Sequence, residues 1–220
     1  SGFLWAFDEG QGDTSLFHTK AEIGEPFKNV VYGKLYQFDE VANALYIKMH
    51  NMTIRTDLLR KCQQRIDEHC YYVDMEYITY PIPYVQTICF IKEYVYMYRI
   101  GRQSQSVGIE KMQQNECNYN RVIHSLLNFY NQLDEEIPCT AAKKHYIARM
   151  IARVIAGKIK ILLSFPRSKE KKQELVKFDR KMKKEYPEIY DGNVNGAVSI
   201  LRKSWYFTYD VMSILVRAKY

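Results

Sequence analysis

The sequence predicts an α/β protein, a partial mixed sheet followed by a C-terminal α-helical bundle. Three observations predict this. Ahead of Gly101, apolar residues come in short β-branched and aromatic runs, the composition of strands, most clearly VQTICFI (85–91) and EYVYMYRI (93–100). From Ile109 onward they return at helical spacing, with Met112, Tyr119, Val122, Ile123, Leu126, Leu127 and Tyr130 on one stripe. The strand-forming part offers only three or four candidate strands and contains neither a G-x-G-x-x-G turn nor a P-loop. Its sheet is therefore expected to be incomplete within this chain.

Taken in order, the first 25 residues are rich in glycine and acid and read as loop. Weak alternation follows over 30–36. Asp39 suits the start of a short helix reaching Asn43, because aspartate favours the N-cap. LYIKMHNMTI (45–54) alternates well enough to predict a strand. A short helix is expected over 55–61, with Thr56 as its cap. The segment holding Asp74 and Glu76 is compatible with helix or strand, and Pro81 and Pro83 end any helix there. The runs 85–91 and 93–100 lie so close together that a bent ribbon or tight turn is expected between them. The helical part then divides at Pro138, Pro166 and Pro187 into helices over about 109–137, 140–165 and 168–185. A turn at Asp191-Gly192-Asn193 leads to a last helix from about Gly196 to the C-terminus. The border between the two parts falls near 108, giving expected units 1–108 and 109–220.

The 220 residues are 47% apolar and 26% charged, the balance of a globular chain. Mean hydropathy is −0.39, and no apolar run approaches the roughly 18 residues of a spanning helix. The N-terminus has no basic segment ahead of an apolar one, so it does not read as a secretory signal; it begins abruptly, as a fragment would. Five scattered cysteines without a C-x-x-C pair point to reduced thiols and a cytoplasmic location. The histidines have no metal-ligand spacing. The net charge of +7 is unevenly placed. Residues 1–140 hold 13 Lys/Arg against 18 Asp/Glu, residues 141–184 hold 15 against 3, and the remainder balances.

Asp74 and Glu76 sit among Tyr71, Tyr72 and Tyr77, ahead of a polar loop that carries Arg99, Arg102, Gln105 and Ser106. Carboxylates beside strands, next to donors able to hold an anion, are what a group-transfer site requires. The stretches MHNMTIRTDLLRK (49–61), IDEHCYYVDMEY (66–77) and PIPYVQTICFIKEYVYMYRIGRQSQSV (81–107), with the helix from Ile109 to Leu133, resemble the C-terminal part of bacterial family 2 glycosyltransferases. These are inverting enzymes of GT-A fold that use nucleotide sugars. The resemblance covers roughly 30–135, and it makes 1–108 the acceptor side of a partial GT-A-like catalytic domain.

That resemblance implies a role for each candidate. Asp74 is the general base that deprotonates the acceptor hydroxyl, with Glu76 orienting the acceptor. The aromatic neighbours raise the basicity of Asp74 by partial desolvation. Arg99, Arg102, Gln105 and Ser106 contact the leaving diphosphate or the acceptor, and His50 lies near the acceptor. It also implies a nucleotide-sugar donor, a glycan or lipid-linked acceptor, and cell-surface polysaccharide synthesis. A divalent metal, Mg2+ or Mn2+, is implied only for the full-length enzyme, because no D-x-D motif precedes Asp74. The chain by itself is expected to hold no metal and to be inactive.

The basic segment 141–184 suggests a second property. A helix over 140–165 with an apolar face and Arg149, Arg153 and Lys160 on another side, followed by a lysine-rich helix, fits an anionic membrane surface. A peripheral position at the inner membrane face is the corresponding expectation. No nucleic-acid-binding module is visible, so a nucleic-acid partner is not expected. An incomplete sheet invites pairing at its edge, which makes a homodimer an expectation. The alternative to the enzyme is a non-catalytic helical module that docks on a membrane or a protein.

Overall fold

The computed structural model describes residues 2–7 and 18–22 as strand backbone, and residues 25–100 and 108–218. Among these described residues, five strands form two small sheets. β1 (Gly2–Phe7), β2 (His18–Glu22) and β5 (Tyr94–Ile100) make a mixed sheet of order β2-β1-β5, in which β1 is antiparallel to β2 and parallel to β5. β3 (Leu35–Gln37) and β4 (Thr87–Cys89) pair antiparallel, Tyr36 opposite Ile88. Edge-to-face contacts among Phe27, Tyr36 and Phe90, with centroids 5.3–5.8 Å apart, pack beside that ribbon.

Helices make up most of the rest. They are α1 (Phe38–Val41), α2 (Thr56–Lys61), α3 (Asp74–Thr79), α4 (Ile109–Gln114), α5 (Glu116–Gln132), α6 (Ala141–Ser164), α7 (Lys169–Glu185), α8 (Pro187–Asp191), α9 (Gly196–Lys203) and α10 (Tyr209–Ala218). Three of them begin as capping chemistry dictates. The side-chain oxygens of Thr140, Ser168 and Asn195 accept from the backbone N–H of Lys143, Lys171 and Val198 and satisfy donors the first turn leaves open.

Helix α6 is the axis of the protein. Sixteen of its 24 residues are buried, among them Tyr146, Ile147, Ile151, Ile155, Ile159 and Leu162. One hydrophobic core runs from Phe38 through α3, α5 and α6 to Tyr209, so the buried residues on the two sides of 108 share it. The expectation of a basic amphipathic surface helix at 140–165 is corrected here, because α6 is buried on most of its circumference. Its cations are engaged with protein groups: Lys143 with the Pro83 carbonyl, Arg149 with the Asn43 carbonyl, Lys158 with Glu116, and Arg153 3.8 Å over the Tyr46 ring.

Other expectations also change. The alternation over 45–54 does not make a strand. Leu45 is buried and Tyr46 lies under Arg153, but the segment has no ladder partner among the described residues and coils into a 3-10 turn at Met49–Asn51. The runs at 85–91 and 93–100 are strands as expected, yet they do not pair with each other: β4 joins β3 and β5 joins β1. Thr56 opens α2 instead of capping it. Helix α5 stops at Gln132, well short of Pro138, because left-handed Asp134 (φ 75°) turns the chain and its N–H donates to the Ile137 carbonyl. The last helix is two, α9 and α10, broken at left-handed Trp205 and Tyr206. The helical C-terminal part is as expected, while the five strands do not amount to a GT-A sheet.

One close approach links α6 to the segment ahead of Asp74. A Cβ at Gly157 would lie 2.7 Å from Cε1 of Tyr119, whose ring stacks on Tyr72 with centroids 4.0 Å apart. Gly157→Ala gains about 1 kcal/mol of helix propensity and loses about 1–3 kcal/mol to overpacking. The expected result is a net loss of about 1 kcal/mol, read as a lower urea midpoint; a raised midpoint would show that the Tyr119 ring gives way freely.

Candidate functional site

Helix α3 starts at Asp74, and a carboxylate in the first turn is favoured there by the helix dipole and the open N–H groups. The Asp74 side chain is half-buried. Burial raises its carboxyl above the usual 3.8, opposed by the backbone N–H groups of Asp74 and Met75. Among the described residues no cation pairs with it. It is a partly desolvated carboxylate, held by its own helix turn and open to solvent on one side.

Glu76 is different. It is 0% exposed, Oε2 accepts from the backbone N–H of Asp67 at 2.8 Å, and Oε1 has no hydrogen-bond partner among the described residues. Asp67 in turn accepts from the Ser125 hydroxyl at 3.0 Å and pairs with Nε of Arg121 at 3.1 Å. Burial, and then the Asp67 charge, push Glu76 up to about 7. Glu76 therefore does not orient an acceptor by direct contact as expected from the sequence. It fastens the loop ahead of Asp74 to α3 and α5 from within.

That loop carries two more constraints. His69 (φ 52°) and Tyr72 (φ 70°) are left-handed, a conformation that costs bulky side chains about 1–2 kcal/mol each. Tyr72 is held in place by its ring on Tyr119, and Cys70 Sγ approaches the Asn118 carbonyl at 3.8 Å. The loop is thus pinned to α5 at Tyr72 and at Cys70, which lies between the two strained positions.

A raised carboxylate has a definite effect on stability. The folded state binds the Glu76 proton more tightly than the unfolded chain, so its contribution is complete below the ordinary 4.5 and is lost as pH rises through about 7. Between those values the wild type is expected to lose up to about 1.4 kcal/mol of stability per pH unit from this group. Glu76→Gln should flatten that slope in urea titrations across the range. An unchanged slope would mean that Glu76 does not titrate there.

His50 lies on the 3-10 turn Met49–Asn51, where the Asn51 side chain accepts from the Lys48 N–H at 3.2 Å. This turn touches α3, β1 and β5. The His50 ring lies 4.9 Å from Tyr98 and 5.8 Å from Tyr96. Side chains alternate along a strand, so Tyr96 and Tyr98 occupy one face of β5 and Arg99 the other. The structure thus brings His50 beside α3 and places Arg99 across the strand from it. Arg102, Gln105 and Ser106 lie outside the described residues. The sequence singled out Asp74 and Glu76 but missed Asp67, Ser125 and Arg121, whose partners are up to 58 residues apart. Only the acid-rich IDEH stretch hinted at Asp67.

Among the described residues no group of three or more His, Cys, Asp or Glu side chains could hold a metal ion. Nor is any helix among them long and apolar enough to cross a membrane. No protein-family model, curated protein or solved structure matches the chain.

Proposed function

We propose that this chain is the acceptor side of an inverting, family 2-like glycosyltransferase that moves a sugar from a nucleotide-sugar donor to an acceptor hydroxyl. The observation that carries the reading is Asp74, a half-buried carboxylate with no cation partner among the described residues, raised by burial at the start of α3. A general base must reach its substrate and remain unneutralised by a neighbouring cation, with a basicity lifted toward working pH. Asp74 meets those terms and Glu76, sealed inside, does not. In the reaction Asp74 takes the hydroxyl proton while the acceptor oxygen forms its bond to the anomeric carbon. The bond from that carbon to the diphosphate oxygen breaks on the opposite face, and the diphosphate leaves with the electron pair.

Exposure on β5 supports the same reading. Tyr94 and Tyr96 on one face, and Val95 and Met97 on the other, are exposed. A sheet with a parallel pair is ordinarily covered on both faces, so more protein is proposed to pack here. We assign that place to the nucleotide-binding half, where a divalent metal would supply charge neutralisation for the leaving diphosphate. The product is assigned to cell-surface polysaccharide, built at the cytoplasmic face of the membrane.

The test uses the protein expressed with its nucleotide-binding half, supplied with Mn2+ and a panel of UDP-, GDP- and dTDP-sugars. Release of nucleoside diphosphate from at least one donor, stimulated by a glycan acceptor, is expected. No release from any of them would remove the proposal.

A further inference from the structure

We propose that the outward face of α10 and the turn ahead of it dock this protein on an anionic lipid surface, with the basic face of α7 as the flanking electrostatic contact. The inference rests on the C-terminal helices alone and stands apart from the role of Asp74.

Helix α10 is apolar on two opposite sides. Tyr209 is buried, Met212 and Val216 are partly buried, and all three pack on the core. Val211, Ile214 and Leu215 point outward and are exposed. Phe207, four residues before Val211, extends the same stripe at 84% exposure, and Trp205 beside it is 78% exposed. A helix apolar on both sides is normally covered on both sides. Single exposed apolar residues are ordinary, but here Trp205 and Phe207 continue an apolar stripe, and contiguous exposed apolar patches mark interaction surfaces.

The aromatic tip is built and held. Trp205 (φ 50°) and Tyr206 (φ 64°) are left-handed, which turns the Trp205 and Phe207 side chains out while Tyr206 turns in. The Tyr206 hydroxyl donates to Oδ2 of buried Asp179 at 2.8 Å, and its N–H donates to the Leu201 carbonyl at 2.9 Å. The tip is thus anchored on its inner side and presented to solvent on the other.

Charge identifies the occupant. The elements that bear the stripe carry Lys203 in the last turn of α9 and Arg217 in the last turn of α10, and Asp210 in the first turn of α10 lies 4.0 Å from Arg167. Lys172 of α7 sits 5.7 Å from the ring of Tyr209, the buried residue that opens α10, which brings the basic face of α7 next to the first turn of that helix. There Lys169, Lys172, Lys177 and Arg180, with Gln173 and Val176, line a shallow depression of about 540 Å³. An apolar stripe bearing Trp and Phe, bordered by Lys and Arg, is the pattern of a helix lying in the headgroup plane of an anionic bilayer. A second copy would bring two basic rims face to face in a self-complementary contact, which like charge opposes.

The chain is sedimented with phosphatidylcholine vesicles with and without about 30% phosphatidylglycerol. Binding to the anionic vesicles is expected at about 0.1 M salt, falling several-fold near 1 M, with little binding to the neutral ones. Trp205→Asn with Phe207→Ser is expected to lower partitioning at least about ten-fold. Asn suits the left-handed backbone, and both side chains are outside the core, so circular dichroism should stay unchanged. Lys169→Glu with Lys177→Glu should weaken binding to anionic vesicles alone. No binding to anionic vesicles, or binding untouched by the aromatic pair, overturns the proposal. So does a dimer in sedimentation velocity that the same pair abolishes while vesicles fail to bind, which would give the face to a second copy.

Discussion

Asp74→Asn is expected to lower sugar transfer by about 10²–10⁴-fold, the usual loss when a positioned general base is removed. The measurement is turnover in the protein carrying its nucleotide-binding half, with the urea midpoint followed in parallel. Asparagine keeps the shape and can still accept from the first-turn N–H groups of α3, so the midpoint should move by less than about 1 kcal/mol. The desolvation that raises Asp74 also makes a neutral side chain easy to accommodate there. Undiminished turnover would leave Asp74 as no more than a helix-start residue.

The largest expected effect on stability is at Asp179. Its carboxylate is 0% exposed and receives Nη2 of Arg202 at 2.7 Å, Nε of Arg202 at 3.1 Å and the Tyr206 hydroxyl at 2.8 Å. Arg202 also donates to the Tyr190 carbonyl at 2.8 Å, so α7, α8, α9 and the following turn meet at this ion pair. Burial, and then the Asp179 carboxylate accepting its hydrogen bond, hold the Tyr206 phenol above its ordinary value. Asp179→Ala leaves a nearly buried guanidinium without its counter-charge, which costs about 3–5 kcal/mol. For a chain of this length the melting midpoint should fall by about 10 °C. Asp179→Leu combined with Arg202→Met removes both charges and should recover most of that loss. A single-variant cost below about 1 kcal/mol would show that Arg202 finds an equally good partner in solvent.

The legible parts of this fold are those whose cause is local. Helices α6 and α7 follow from their apolar spacing, the caps Thr140 and Ser168, and the prolines at 166 and 187. Strands β4 and β5 follow from β-branched and aromatic runs. What failed depends on partners distant in sequence. Alternation at 45–54 is real, but it reflects one side of an extended segment lying on α6, and no strand among the described residues pairs with it. The break between α9 and α10 has neither Gly nor Pro and is set by Tyr206 reaching Asp179, 27 residues away. Likewise Arg149 and Arg153 look like a basic surface in the sequence, and only the partners Asn43 and Tyr46 show that they are engaged with the protein's own groups.

The candidate site was legible to the same degree. Asp74 could be chosen because an acid ahead of a strand and an arginine loop has a recognisable setting. Glu76 looked equivalent in the sequence, and a two-residue step on a short helix separates their fates: one side chain meets solvent, the other meets Asp67. Arg99 and His50 both read as candidate substrate contacts in the sequence, and the strand period puts Arg99 on the face of β5 opposite the tyrosines that the His50 ring meets.

The most direct measurement is the pH dependence of kcat/KM for the wild type and Asp74→Asn. The wild type is expected to lose activity on an acid limb as Asp74 takes up its proton, at a pH above the ordinary 3.8. The variant should show low, flat activity with no such limb. An identical acid limb in both proteins would contradict the assignment of Asp74 as the base.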